Sequence, residues 1–332
     1  MRVRLCTWVP HRLSKLVKEV RNAVSKIPDL TLSSCPDCDL MLVVGTDRDI
    51  LTAVQELGET PPILTVAPPG YIGYLTQIVW DELVSSLEKI SRGEFHRRTV
   101  ARIGASIDGV KELRAINEVA AFPHRSATVM EYTLRVNSEV LWRDVADGVI
   151  VATPLGSTAY ALSAGGPVVL LDAEVLVVVP VNSLEPSRRP LVVPQHARIL
   201  IGDIASRYSV EVIADGIKRE RVEEYVELRR CGEVVFAEIG SSAAAMVKKK
   251  LGIYQELQNM PPSAKFVYRM LEIEGPMDVK ELAIKTLLPE RTIRYALSLL
   301  LERGLVERVA DLRDPRRYIY RVVIRRSTRL SS

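Results

Sequence analysis

Apolar residues fall into different rhythms along this chain, and the rhythm changes twice. Val3 to Thr7 and Leu40 to Val44 are apolar runs of strand length, while Leu13 to Ile27 and Asp49 to Leu57 carry their apolar positions at helical spacing. Pro61-Pro62 leads into a further strand over Ile63 to Val66, and Trp80 to Arg92 places Leu83, Leu87 and Ile90 on one face of a helix. Strand and helix in alternation predict an α/β layer domain over residues 1–98. From Thr99 the texture becomes short runs separated by turn residues, among them Val129 to Val136, Ser209 to Ile213, Glu223 to Leu228 and Val234 to Ala237. That pattern predicts an antiparallel β-sandwich over residues 99–256.

The helical period returns after Asn259-Met260-Pro261-Pro262. Phe266, Val267, Met270 and Leu271 share one face, Val279 to Lys285 makes a second helix, and Pro289 to Arg303 a third that buries Ile293, Leu297 and Leu300. Leu305 to Val309 and Tyr318 to Ile324 then flank a polar turn as a hairpin. The order predicts an α+β winged helix-turn-helix domain over residues 260–326.

At 332 residues and 47% hydrophobic composition, the chain has enough apolar surface for two or three packed cores without staples. No apolar stretch approaches the length of a membrane span, and the amino end lacks a secretory core and cleavage site, which places the protein in the cytoplasm. Lys, Arg and Glu are abundant while Asn and Gln are scarce, the bias of proteins from hot environments. Charge is uneven. Residues 260–332 hold 15 Lys and Arg against 9 Asp and Glu, whereas the rest holds 30 against 32, so the basic excess sits at the carboxyl end and points to a phosphate-bearing partner. Cys35-Pro36-Asp37-Cys38 is a CxxC pair that reads as a surface turn, or as half of a zinc site if Cys6 and Cys231 fold against it. His11, His96, His124 and His196 show no ligand spacing, and no metal is assigned to protein ligands.

The densest chemistry lies at Asp147-Gly148-Val149-Ile150-Val151-Ala152-Thr153-Pro154-Leu155-Gly156-Ser157-Thr158-Ala159-Tyr160, followed by Ser163-Ala164-Gly165-Gly166-Pro167. A strand delivers a carboxylate and a glycine- and hydroxyl-rich turn to one place. Glycines admit close ligand approach there, and Ser157, Thr158 and Ser163 offer donors to ribose and phosphate oxygens.

With Pro62 to Thr76, Asn117-Glu118, this run, Ser183-Leu184, Arg189 to Pro194 and Asp215-Gly216 in order, the first roughly 255 positions resemble the NAD kinase family. The resemblance implies an α/β domain plus β-sandwich, NAD or NADP as ligand, and ATP with Mg2+ as phosphoryl donor. It implies that Asn117 and Glu118 hold the adenine end and ribose, that Asp147 bonds near the nicotinamide side, and that Thr158, Ala159, Tyr160 and Ser163 line the dinucleotide. Where the family carries Gly-Gly-Asp-Gly-Thr, this chain has Gly45-Thr46-Asp47-Arg48-Asp49. Asp47 is the expected base for the 2′-hydroxyl. Gly45 keeps a phosphate-wrapping position, and Arg48 is either a strained replacement, if the backbone there needs φ > 0, or a compensating cation. Asp49 adds a charge that would repel the donor. Asp47 and Asp49 are equally the residues that would cap a helix after Val44.

On the third C-terminal helix, Arg291, Arg294, Tyr295 and Ser298 share the face opposite the apolar stripe, with Arg316 and Arg317 on the wing, an arrangement suited to double-stranded DNA. Two readings stay open at this point: an ATP-dependent NAD kinase tethered or regulated by its winged helix, or a regulator that senses NAD(H) or NADP(H) with a decayed donor loop. The resemblance also implies a homodimer or homotetramer.

Overall fold

The computed structural model describes residues 2–35, 37–71, 73–240, 255–257, 259–310 and 318–323. They cluster into two compact units, one formed by Met1–Ala53, Thr60–Arg97 and Phe236–Ser332, the other by Val54–Glu59 and Arg98–Val235.

In the first unit, β1 (Val3–Trp8), β2 (Leu30–Leu32), β3 (Leu40–Val44) and β4 (Ile63–Val66) form a parallel sheet in the order β2-β1-β3-β4. β3 and β4 are buried along their whole length, as the unbroken apolar runs require of parallel strands covered on both faces. The connecting helices α1 (Leu16–Ser25), α2 (Asp47–Leu57) and α3 (Leu83–Ser91) alternate with the strands. Val20, Val24, Leu83, Leu87 and Ile90 from α1 and α3 pack on Leu5, Leu42, Val44 and Leu64 in one core. β2, only three residues long, carries too little pattern to be read from sequence, and α1 starts later than its periodicity suggests because His11–Leu13 forms a separate 3-10 turn.

A second core in this unit belongs to α5 (Pro262–Glu274), α6 (Val279–Thr286), α7 (Glu290–Glu302) and the antiparallel hairpin β17 (Val306–Ala310) and β18 (Tyr318–Val322). Pro262 opens α5, where a missing N–H costs nothing. Asp278 and Glu281 cap α6 reciprocally, each side chain bonded to the other's N–H. Ile293, Leu297 and Leu300 of α7 are buried with Val267 and Leu271 of α5. The segment expected as a wing, with Arg313, Arg316 and Arg317, lies outside the described residues.

In the second unit, one sheet pairs β5 (His96–Ile107) with β6 (Lys111–Ala115) and with β16 (Val226–Glu238), and continues through β13 (Ile199–Ser206), β8 (Met130–Val136) and β9 (Glu139–Ala146). The other runs β12 (Leu191–Pro194), β11 (Val175–Val181), β10 (Gly148–Ala152), β7 (Glu118–Pro123), β14 (Val210–Ala214), β15 (Lys218–Val222), antiparallel throughout. Alternate residues face a shared core: Ile103, Leu134, Ile199 and Leu228 from the first sheet meet Val119, Val149, Val178 and Val212 from the second. The opposite face of the second sheet is covered too. Ala120, Ile150, Ala152, Val177 and Val179 pack with Ala161 of the one-turn α4 (Tyr160–Ser163), so the glycine-rich segment lies on that face.

The cysteines pair unexpectedly. Cys6 of β1 is disulfide-bonded to Cys38, with Cα atoms 5.6 Å apart, while Cys35 is exposed and Cys231 is a free thiol in the second unit. The CxxC segment is therefore neither a local disulfide nor half of a zinc site built with Cys6. No described helix is long and apolar enough to cross a membrane.

Candidate active site

In the first unit the site residues gather at the head of α2, just past the buried end of β3. Thr46 and Asp49 form a reciprocal cap: the Asp49 carboxylate accepts the Thr46 N–H at 2.7 Å and its hydroxyl at 2.8 Å, and the Thr46 hydroxyl oxygen accepts the Asp49 N–H at 3.4 Å. Arg12 donates to the same Asp49 oxygen at 2.5 Å. Asp49 is thus buried, capped and charge-paired, and the repulsion expected from it is offset within the protein. Gly45 is required because a Cβ there would overlap the Asp49 side chain.

Asp47 does something else. Its two oxygens accept the backbone N–H groups of Tyr74 at 2.7 Å and Leu75 at 2.9 Å, on the turn that follows β4. The carboxylate passes so close over Gly73 that a Cβ would overlap it. Each carboxylate oxygen accepts one N–H, so the two bonds fix both the position and the plane of the group. The Asp47 N–H in turn donates to the Tyr71 hydroxyl at 3.2 Å. Arg48 is exposed in the first turn of α2, and none of residues 46–49 has a positive φ. The strain considered for Arg48 is absent, because this chain winds the segment into regular helix instead of a glycine loop.

In the second unit Asn117 and Glu118 enter β7, and their placement depends on Asp215. Its carboxylate, 5% exposed, accepts the N–H groups of Ile116 at 3.0 Å, Asn117 at 2.7 Å and Glu118 at 3.2 Å, and the Gln55 amide at 2.9 Å. Burial pushes this carboxyl above its usual range, against the downward pull of those donors. Asp215 stands in a left-handed turn at φ 51°, which aims its side chain across to β7. In sequence the Asp215-Gly216 pair between two apolar runs signals the turn but not the strand it braces.

Gly156 fits directly over the Asn117 backbone, where a Cβ would overlap the carbonyl. The Thr153 N–H donates to that carbonyl at 2.8 Å, and the Thr153 hydroxyl donates to Ile116 at 2.5 Å. Ser157, expected as a ligand donor, is fully buried and donates to Pro154 at 2.7 Å while accepting the Val169 N–H at 3.1 Å, so it shapes the turn. Thr158 donates to Leu155 at 3.3 Å, Ala159 is half-buried, and Tyr160 and Ser163 are exposed.

Asp147 precedes β10 and accepts the Asn182 amide at 2.8 Å. Antiparallel pairing sets Glu118 opposite Ala152, at the other end of β10. Five residues of strand, roughly 17 Å, therefore separate the levels of Asp147 and Glu118, a length for two joined nucleotides. Tyr160 stacks on Phe122, ring centres 5.9 Å apart. Burial, then the Glu118 and Asp147 carboxylates, push its phenol pKa up, so both ends of the row act on one ring.

The first unit thus holds a fixed carboxylate at a helix head, and the second a glycine-rich face flanked by carboxylates. The ATP-NAD kinase N-terminal domain matches residues 12–95 and the ATP-NAD kinase C-terminal domain residues 116–235. An NAD kinase from Methanopyrus kandleri is 33% identical over 216 residues, 64% of this chain and 78% of that protein, and one from Marinomonas sp. is 35% identical over 195 residues, 57% of this chain and 65% of that protein. The chain belongs to the NAD kinase family. Among solved structures, an NAD kinase from Archaeoglobus fulgidus in complex with ATP matches 77% of this chain and 99% of its own, with 25% identity and a TM-score of 0.61. Yeast NADH kinase complexed with NADH covers 76% of this chain and 88% of its own at TM-score 0.66; at 19% identity it shows the fold alone. The two matched domains end at residue 235, ahead of the C-terminal helices.

Proposed function

We propose that this protein transfers the γ-phosphoryl group of ATP to the adenosine 2′-hydroxyl of NAD(H), releasing ADP and NADP(H). Asp47 accepts the hydroxyl proton as the oxygen attacks phosphorus. The observation that carries this reading is the fixation of Asp47 by the Tyr74 and Leu75 N–H groups, a preorganised base in a family whose reaction asks for position above all. Asn117 and Glu118 hold the adenosine ribose, Asp147 the nicotinamide side, and Thr158, Ala159, Tyr160 and Ser163 line the ligand. Gly45 and Arg48 stand toward the donor phosphates, Arg48 supplying an exposed cation. Magnesium bound to ATP would supply neutralisation of the phosphate charge.

The regulator reading loses its premise. It required a decayed donor loop, whereas Asp47 is held, Asp49 is neutralised by Arg12, and the altered residues are unstrained. A coupled assay with NAD, ATP and magnesium tests the kinase against Asp47→Asn: turnover abolished in the variant is expected, and tight NADP binding with no turnover in the parent protein sinks the reading.

One observation favours a second property beside catalysis. Arg291, Arg294, Tyr295 and Ser298 are all exposed on the outer face of α7, while its inner face is buried. A winged-helix contact with a DNA duplex fits that face, read by mobility shift at low salt. Assembly into a homodimer or homotetramer follows from family resemblance, and sedimentation tests it.

A further inference from the structure

We propose that the C-terminal helices take part in the reaction by bracing Asp47 from behind, with Tyr71 as the positioning residue that connects them. The inference rests on the kinase reading. Tyr71 is 5% exposed; its hydroxyl accepts the Asp47 N–H at 3.2 Å and donates to the Glu272 carbonyl at 3.0 Å. One phenol thus joins the first residue of α2 to the last turn of α5.

The surroundings make this a built contact. A Cβ at Gly70 would lie in ordinary van der Waals contact with Pro276 and Arg321, at 3.5 Å and 3.7 Å, and one at Gly275 with the Tyr71 ring, at 3.7 Å, so the two segments lie side by side around the phenol. Glu272, 7% exposed, pairs with Arg269 at 2.5 Å one turn earlier in α5. Burial first, then the Asp47 charge, raises the Tyr71 phenol far above its usual range; burial, then Glu272 and Tyr268, does the same to Tyr74. A phenol that does not ionise remains a donor to the Glu272 carbonyl at any working pH. Asp47 is therefore held at both ends: its carboxylate by Tyr74 and Leu75, and its amide by Tyr71. Residues 262–322 lie outside the two matched family domains, so the brace is supplied by a segment those domains do not include. α5 shares its core with α7, which anchors the helix that receives the Tyr71 hydroxyl.

The test uses the full chain. Tyr71→Phe keeps the ring and removes the hydroxyl; kcat is expected to fall about five- to tenfold, the effect of one hydrogen bond felt at the transition state, with KM for NAD within twofold and the melting temperature lowered by a few degrees because the Glu272 carbonyl loses its partner. Arg269→Ala, which leaves the buried Glu272 carboxylate without its cation and so loosens the last turn of α5, is expected to lower kcat in the same direction by roughly two- to threefold. Amide hydrogen exchange is read alongside: exchange at Asp47 and at residues 272–277 is expected to accelerate together in Tyr71→Phe. Unchanged kcat in both variants, a change in KM matching that in kcat, or faster exchange at Asp47 alone overturns the brace. If Asp47→Asn and the parent protein are equally inactive, the kinase reading has failed, and the exchange measurement still decides whether Tyr71 links α2 to α5.

Discussion

Replacing Asp215 by asparagine removes one of the two oxygens that place Asn117 and Glu118, the edge proposed to hold the dinucleotide. In the native turn, Oδ1 accepts the Asn117 and Glu118 N–H groups, and Oδ2 accepts the Ile116 N–H and the Gln55 amide. The asparagine amide nitrogen would face two donors wherever it turns, so two of four bonds are lost. Bonds to a charged acceptor are worth about 1.5–3 kcal/mol each, and part of that loss is recovered because the variant no longer buries a charge; the net is about 2–4 kcal/mol. For a unit of this size that corresponds to a fall in Tm of about 5–15 °C, and the loosened Asn117-Glu118 edge should raise KM for NAD about tenfold. Asp108 is the control. It also stands at positive φ, and its carboxylate accepts the N–H groups of Glu223, Glu224 and Tyr225, but it braces no ligand-facing strand. Asp108→Asn should lower Tm and leave KM alone. Thermal melting with initial-rate kinetics on both variants decides the matter; KM within twofold of the parent for Asp215→Asn refutes the brace as a determinant of binding.

Four further outcomes follow. Gly73→Ala drives a methyl group into the Asp47 carboxylate, so kcat should drop about a hundredfold with KM for NAD little changed, as steady-state kinetics will show. At Asp108 burial pushes the carboxyl up, and the Tyr225, Glu223 and Glu224 N–H groups outweigh it, so the folded pKa lies below the unfolded one; that stabilisation is present above pH about 4, is lost as pH falls through the native value, and should vanish from acid melting curves of Asp108→Asn. Cys38→Ser opens a bridge between residues 32 apart and should cost about 3–4 kcal/mol of stability, measured by denaturant unfolding without reductant. Arg291→Ala and Arg294→Ala should each weaken duplex binding and reduce its salt slope by about one, while leaving kinase turnover intact.

What sequence could and could not disclose follows from the range of each interaction. The parallel strands and the sandwich were readable because burial on one or both faces imposes a period. The cap at the head of α2 was readable because Thr46 and Asp49 are three residues apart, but sequence left Asp47 and Asp49 with the same possible role. Only the fold separates them, sending Asp49 back to Thr46 and Asp47 forward to a turn 27 residues away. Tyr71 and Asp215 escaped for the same reason, since their partners lie 201 and roughly 98 residues distant. The cysteines misled in the opposite sense: CxxC spacing drew attention to Cys35, whereas parallel pairing of β1 and β3 carries Cys6 toward Cys38.

The wound head of α2 has one more effect. Since Thr46, Asp49 and Arg12 are bonded to one another before any ligand docks, little chain freedom remains to be surrendered on association, and the entropic cost of ordering this segment is small. Such a receptor is also selective: a surface that cannot remould itself must be matched by its guest, which narrows the range of phosphoryl donors it admits.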